Sequence, residues 1–157
     1  MKTNIGIKDE DKQQVSIQLN KLLADEFVLY TKTKKAHWNV VGADFHSKHL
    51  FFETQFGQLD DIVDRVAERI RSLGHYAIGS LVEFSANTHL SEDSRSANDS
   101  LGFIRELLED HDSIIEFLRT GINTFANIYH DQGTSDFVTG LMEDHEKMAW
   151  MLRAHLC

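Results

Sequence analysis

The chain has 157 residues, a formal net charge of -9 and no proline. Average usage is about 5% proline, and an interior proline costs a helix about 3 kcal/mol, so the omission favours long unbroken helices. The single cysteine, Cys157, cannot close an internal disulfide, which excludes a small stapled scaffold. No apolar run approaches the roughly 18 residues of a membrane span, and residues 1–10 lack the apolar core of a signal peptide. One cytoplasmic domain is the expectation. The acidity argues against a surface built for nucleic acid.

In chain order, Val15, Leu19, Leu22, Leu23 and Tyr30 recur at steps of three and four, with Gln14, Gln18, Lys21 and Asp25 between them. This predicts one apolar stripe on a helix over about residues 9–38. Asn39 to Ala43, with Gly42, reads as a tight connection. A second run over about 44–73 carries Phe45, Phe52, Phe56, Leu59, Val63, Val66 and Ile70, and ends before Gly74. Residues 74–95 hold Gly74, Gly79, Ser80, Ser85, Asn87, Thr88 and Ser91, which break any long period. They predict a crossover with a short helix at about 77–83. Ser91 or Ser94 is expected to cap a third helix with Leu101, Ile104, Leu108, Ile115 and Leu118 on its buried side. Thr134 is expected to cap a fourth helix through Val138, Leu141, Met148, Trp150 and Leu152. The pattern is all-α: a four-helix bundle of ferritin-like topology, with its short extra helix in the crossover between helices two and three.

Nine histidines invite a search for metal ligands. No Glu has a His three residues later, so the Glu-x-x-His signature of a di-iron centre inside one bundle is missing. The second helix offers another arrangement. His49 and Glu53 are spaced i, i+4, as are Asp64 and Glu68. At about 100° per residue all four lie within an arc of roughly 100°, yet Glu53 and Asp64 are roughly 16 Å apart along the axis. One helix cannot bring both pairs to one ion. Two antiparallel copies related by a two-fold axis near residues 58–59 can, giving two identical sites per dimer. Gly57 lies near that axis and permits close approach. His37, at the end of the first helix, reaches the same place from the His49 side. The expected set is His37, His49 and Glu53 from one chain with Asp64 and Glu68 from its mate, a donor set suited to iron and acceptable to zinc.

The stretch Lys35-Ala36-His37-Trp38-Asn39-Val40-Val41-Gly42-Ala43-Asp44-Phe45, followed by His49, then Asp64-x-x-x-Glu68-Arg69 and Leu73-Gly74, resembles the signature of the Dps family, the miniferritins. The resemblance spans nearly the whole chain. It implies a homo-dodecameric shell with di-iron ferroxidase centres at two-fold interfaces, and His37, His49, Asp64 and Glu68 as ligands. The family usually has Asp where this chain has Glu53, so the carboxylate here has a longer reach. Trp38 is implied to lie beside the iron centre and quench oxidising equivalents. The implied reaction oxidises Fe(II) to Fe(III), preferring hydrogen peroxide to dioxygen, and stores ferric oxide inside the shell. Asp131 and Asp136, with Asp144 further along, are the candidates for carboxylates lining a pore near the start of the last helix. DNA, bound by some members through lysine-rich tails, is a disfavoured partner. Lys2, Lys8 and Lys12 are balanced by Asp9, Glu10 and Asp11, and no tail follows the last helix. The Lys32, Lys34 and Lys35 cluster suits a helix C-terminus.

Overall fold

The computed structural model describes residues 3–92 and 97–157. The chain forms α1 (Asp9–Asn39), α2 (Phe45–Ser72), a short α3 (Leu81–Asn87), α4 (Ser100–Asn123), a π-helical turn (Thr124–Ile128) and α5 (Gln132–Arg153). The four long helices are those predicted, and among the described residues no helix is long and apolar enough to cross a membrane.

The topology follows from contacts at the two ends of the bundle. At one end, where α1 hands over to α2, the Ser100 hydroxyl donates to Asp44 Oδ2 at 2.7 Å and Val41 N donates to the Asn98 carbonyl at 3.0 Å. The Ser100 hydrogen bond is also the main reason that the Asp44 carboxyl sits below its ordinary pKa. At the other end, the Thr3 hydroxyl donates to the Leu73 carbonyl at 3.0 Å. α4 therefore begins at the end of the bundle opposite the one where α2 stops, so α2 and α4 run parallel. The α1–α2 and α4–α5 pairs are antiparallel hairpins. Between them lies a core that includes Val15, Leu19, Leu22, Leu59, Ile104, Leu107, Leu141 and Leu152.

Local chemistry moves several predicted boundaries. The short helix starts at Leu81, four residues later than expected. Ser80 and Glu83 form a reciprocal capping box. Ahead of it, Asn20 of α1 clamps the extended chain through its amide, donating to the Tyr76 carbonyl and accepting from Ile78 N. Ser91 does not cap α4, which begins only at Ser100; its carbonyl accepts from the Lys32 ammonium at 2.8 Å. Ser94 lies outside the described residues. Asp99 is the cap, accepting from Gly102 N at 2.8 Å. The buried face of α4 carries Phe103, Ile104, Leu107 and Ile114, and Leu101, which lies off that face, is 42% exposed. Likewise Asp131, not Thr134, caps α5. Trp150, expected on the buried stripe, is 63% exposed. Asp25, expected on the polar side of α1, is fully buried because its Oδ1 accepts from Thr88 Oγ1 and His89 N.

Gly42 adopts φ +133 in the α1–α2 turn, a region that L side chains rarely occupy. Gly42→Ala should cost about 1 kcal/mol or more, read as a lower urea midpoint with an unchanged slope.

Candidate metal centre

The turn at Gly42 folds α2 back along α1 and places His37, near the end of α1, against His49, in the second turn of α2. The rings stack with centroids 3.8 Å apart and planes 21° apart. Each ring is also tied to the other's backbone. His37 Nδ1 lies 2.8 Å from the His49 carbonyl oxygen, and His49 Nδ1 lies 2.8 Å from the His37 carbonyl oxygen. A carbonyl can only accept, so both Nδ1 atoms carry the proton. That fixes the tautomer, leaving Nε2 of each ring as a lone-pair donor suited to a metal ion. Phe56 closes one side, its ring 5.1 Å from that of His37 in an edge-on arrangement.

α2 is continuous over its whole length, so the spacing argument from its sequence holds in three dimensions. Its buried residues are Phe52, Gln55, Leu59, Ile62, Val66 and Ile70. At about 100° per residue, their mean direction is roughly 140° from that of His49, Glu53, Asp64 and Glu68. Glu53, Asp64 and Glu68 are exposed and His49 is half-buried. The candidate ligands thus face away from their own bundle. Among the described residues no group of three or more possible ligands gathers within one subunit. The structure brings His37 and His49 together and leaves Asp64 and Glu68 several turns away. Midway along this face Gly57 would place a Cβ in open space, leaving the surface low where a second helix could cross.

The profile of the ferritin-like domain family matches residues 17–157. A DNA protection during starvation protein of Bacillus anthracis is 32% identical over 93% of this chain and 98% of its own. The chain belongs to the Dps family. A low temperature-induced protein of Nostoc is 43% identical, covering 98% of this chain and 86% of that one. DpsC from Streptomyces coelicolor superposes with a TM-score of 0.95 at 26% identity, over 100% of this chain and 91% of that one. The Dps protein of Vibrio cholerae, described as a member of a broad superfamily of ferritin-like diiron-carboxylate proteins, gives a TM-score of 0.92 at 29% identity, over 100% and 98%.

The remaining predicted residues of this Dps subunit fall in different settings. Trp38 is 66% exposed, so it is not part of the subunit core. Its neighbour Lys34 donates to the Tyr30 hydroxyl at 2.9 Å and lies over the rings of Tyr30, Trp38 and Phe56. Asp131 does not present a free carboxylate. It is buried, bonded to Arg69 Nη2 at 3.0 Å and to Thr134 through both N and Oγ1. Gly133 permits this approach, since a Cβ there would meet Arg69 Nη2 at 3.1 Å. Asp136 is exposed near the start of α5. Asp144 shares Arg65 with Asp61. Sequence reading missed the two carbonyls that orient the histidines, and no sequence signal could reveal them, because every residue carries one. It also missed Arg69 as the tie between the Glu68 end of α2 and the start of α5. The adjacency of Arg69 to a predicted ligand was the available clue.

Proposed function

We propose that this chain is the cytoplasmic subunit of a hollow iron-storage dodecamer that oxidises Fe(II) to Fe(III) and thereby limits oxidative damage. The observation that carries this reading is the locked histidine pair, with Nε2 of each ring left as a lone-pair donor, beside a carboxylate face turned away from its own bundle. Two such faces crossing antiparallel put His37, His49 and Glu53 of one subunit opposite Asp64 and Glu68 of the other. The substrate iron is held by neutral imidazoles and by carboxylates, which favour the more highly charged product ion.

The preferred oxidant in this reading is hydrogen peroxide. Two Fe(II) ions each give up one electron, the O–O bond breaks, and two protons complete two molecules of water. Supplying both electrons together avoids the one-electron cleavage that releases hydroxyl radical. Exposed Trp38, next to His37, is placed to absorb stray oxidising equivalents. Asp136 is the better candidate than Asp131 for guiding cations inward. The charge of -9 favours a cation-collecting particle over a DNA-coating one.

The test is anaerobic Fe(II) loading followed by stoichiometric peroxide, with ferric absorbance recorded against buffer. The intact protein oxidises iron faster than buffer. His37→Ala with His49→Ala oxidises at the buffer rate while eluting at the same assembled size. Loss of the assembly in that variant would make the pair structural. A gel shift at low salt that disappears with added salt would instead support DNA coating.

A further inference from the structure

The centre of the subunit holds a second constellation of titratable groups, far along α1 from His37. Glu26 of α1, His111 of α4 and His145 of α5 are each 0% exposed. They form a chain of hydrogen bonds. His145 Nε2 lies 3.0 Å from Glu26 Oε1, and His145 Nδ1 lies 2.9 Å from His111 Nδ1. At the two ends of this hydrogen-bonded chain, Glu26 Oε2 and His111 Nε2 are buried with no hydrogen-bond partner among the described residues. Three helices thus meet through one imidazole that touches both of the other groups.

We propose that Glu26, His145 and His111 form an acid-sensitive clasp that ties α1, α4 and α5 together at neutral pH and releases them on acidification. A fully buried carboxylate is costly unless its charge is balanced, and among the described residues the partner of Glu26 that can supply a proton is His145. The link between the imidazoles needs one Nδ1 to donate and the other to accept, so a proton on both destroys it. An added charge at His111 would then face a neighbouring imidazole with both rings fully buried.

The surroundings offer no relief. On α1, Asp25 is turned onto Thr88 and His89, and Lys32 pairs with Asp110 and Glu106 of α4. Burial raises the Asp110 carboxyl above its ordinary range, the Lys32 ammonium opposing. On α5, Asp144 and Glu146 are exposed and pair with Arg65 and Arg119. From α2 the neutral Gln55 amide is buried and donates to the Met148 carbonyl, about one turn from His145 along α5.

The direction of the effect follows from the same geometry. Burial first, and His145 second, hold His111 well below its ordinary 6.5. In the unfolded chain His111 is free to take up a proton near that value, so the unfolded state binds it first. The stabilisation is complete above 6.5 and is lost as pH falls below it, by about a factor of ten in the folding constant per pH unit until folded His111 itself protonates.

Urea unfolding of the full chain, at fixed subunit concentration from pH 8 to pH 5, tests the clasp. Wild type should lose stability below 6.5, and His111→Leu should remove about tenfold per pH unit of that loss. Parallel pH curves for the two proteins would overturn the proposal. Should His111→Leu not fold, hydrogen exchange on wild type decides. Lowering the pH from 7.5 to 5.5 should open amides around residues 26, 111 and 145 more than those around His37 and His49, after correction for intrinsic rates. A uniform change along the chain would also overturn the proposal.

Discussion

Neither His49→Ala nor Asp64→Ala alone should oxidise Fe(II) above the buffer rate, yet the two chains unfolded together in equal amounts and reassembled should recover activity. Each variant damages a different half of the divided centre. In a mixed dimer both defects fall in one of the two centres, and the other keeps His49 from one chain and Asp64 from its mate. Random pairing makes half the dimers mixed, so about a quarter of the centres are intact. The loss in each variant alone should be large, because removing even an orienting neighbour of a metal ligand costs about 10–100-fold in affinity or activity. A mixture of His37→Ala with His49→Ala is the control. Both changes strike the same half, so every centre remains damaged and the mixture stays at the buffer rate. Recovery in the control, or none in the first mixture, would contradict the antiparallel arrangement. This outcome is independent of oxidant preference, because it counts intact centres.

The parts of the fold that were legible share one physical cause. α1 and α2 bury a continuous stripe, and 3.6-residue periodicity reports burial directly. The shared face of His49, Glu53, Asp64 and Glu68 on α2 was legible by the same rule, since residues i, i+4 share a face whatever they touch. Helix starts were less legible because they depend on which of several polar side chains wins a particular backbone group. Ser91 is a good cap by type, but α4 begins only at Ser100, where the Asp99 side chain accepts from Gly102 N. Leu101 falls in the first turn of α4, off the face that carries Phe103, Ile104 and Leu107 into the core. The clasp was invisible for the opposite reason. Glu26, His111 and His145 are polar by type, so a hydrophobic pattern assigns them to the surface, and only their mutual hydrogen bonds make burial tolerable. Asp25 misled in the same way. The contact of His37 with His49 was legible from their places on either side of the α1–α2 turn, but their tautomers were not, because the carbonyls of His37 and His49 acquire their role only when the two helices meet.

Asp131→Ala should be the most destabilising of the single substitutions discussed for the start of α5, and it separates a structural role from a pore role. The side chain performs two tasks at once. Its Oδ1 accepts from Thr134 N at 2.9 Å, capping α5, and it holds the Arg69 guanidinium. Loss of a cap costs about 1 kcal/mol. Removing one partner of a buried ion pair costs about 3–5 kcal/mol when the other charge is stranded. Here the Arg69 side chain is 26% exposed and reaches water, so the pair contributes less than that range. A combined loss of about 3 kcal/mol is expected, equivalent to a fall of roughly 6–12 °C in Tm for a domain of this size. Asp131→Asn retains an acceptor for Thr134 N and should lose only the charge, about 1 kcal/mol. Exposed Asp136 provides the contrast. Asp136→Asn should change stability by no more than about 0.5 kcal/mol. If its carboxylate attracts incoming Fe(II), that variant should slow iron oxidation most at low ionic strength, where the field of a surface charge reaches furthest. Thermal unfolding and stopped-flow oxidation on the same three variants divide the outcomes. Slower oxidation with unchanged Tm in Asp131→Ala would return that residue to the iron route, and a lowered Tm with normal oxidation would assign it to the joint between α2 and α5.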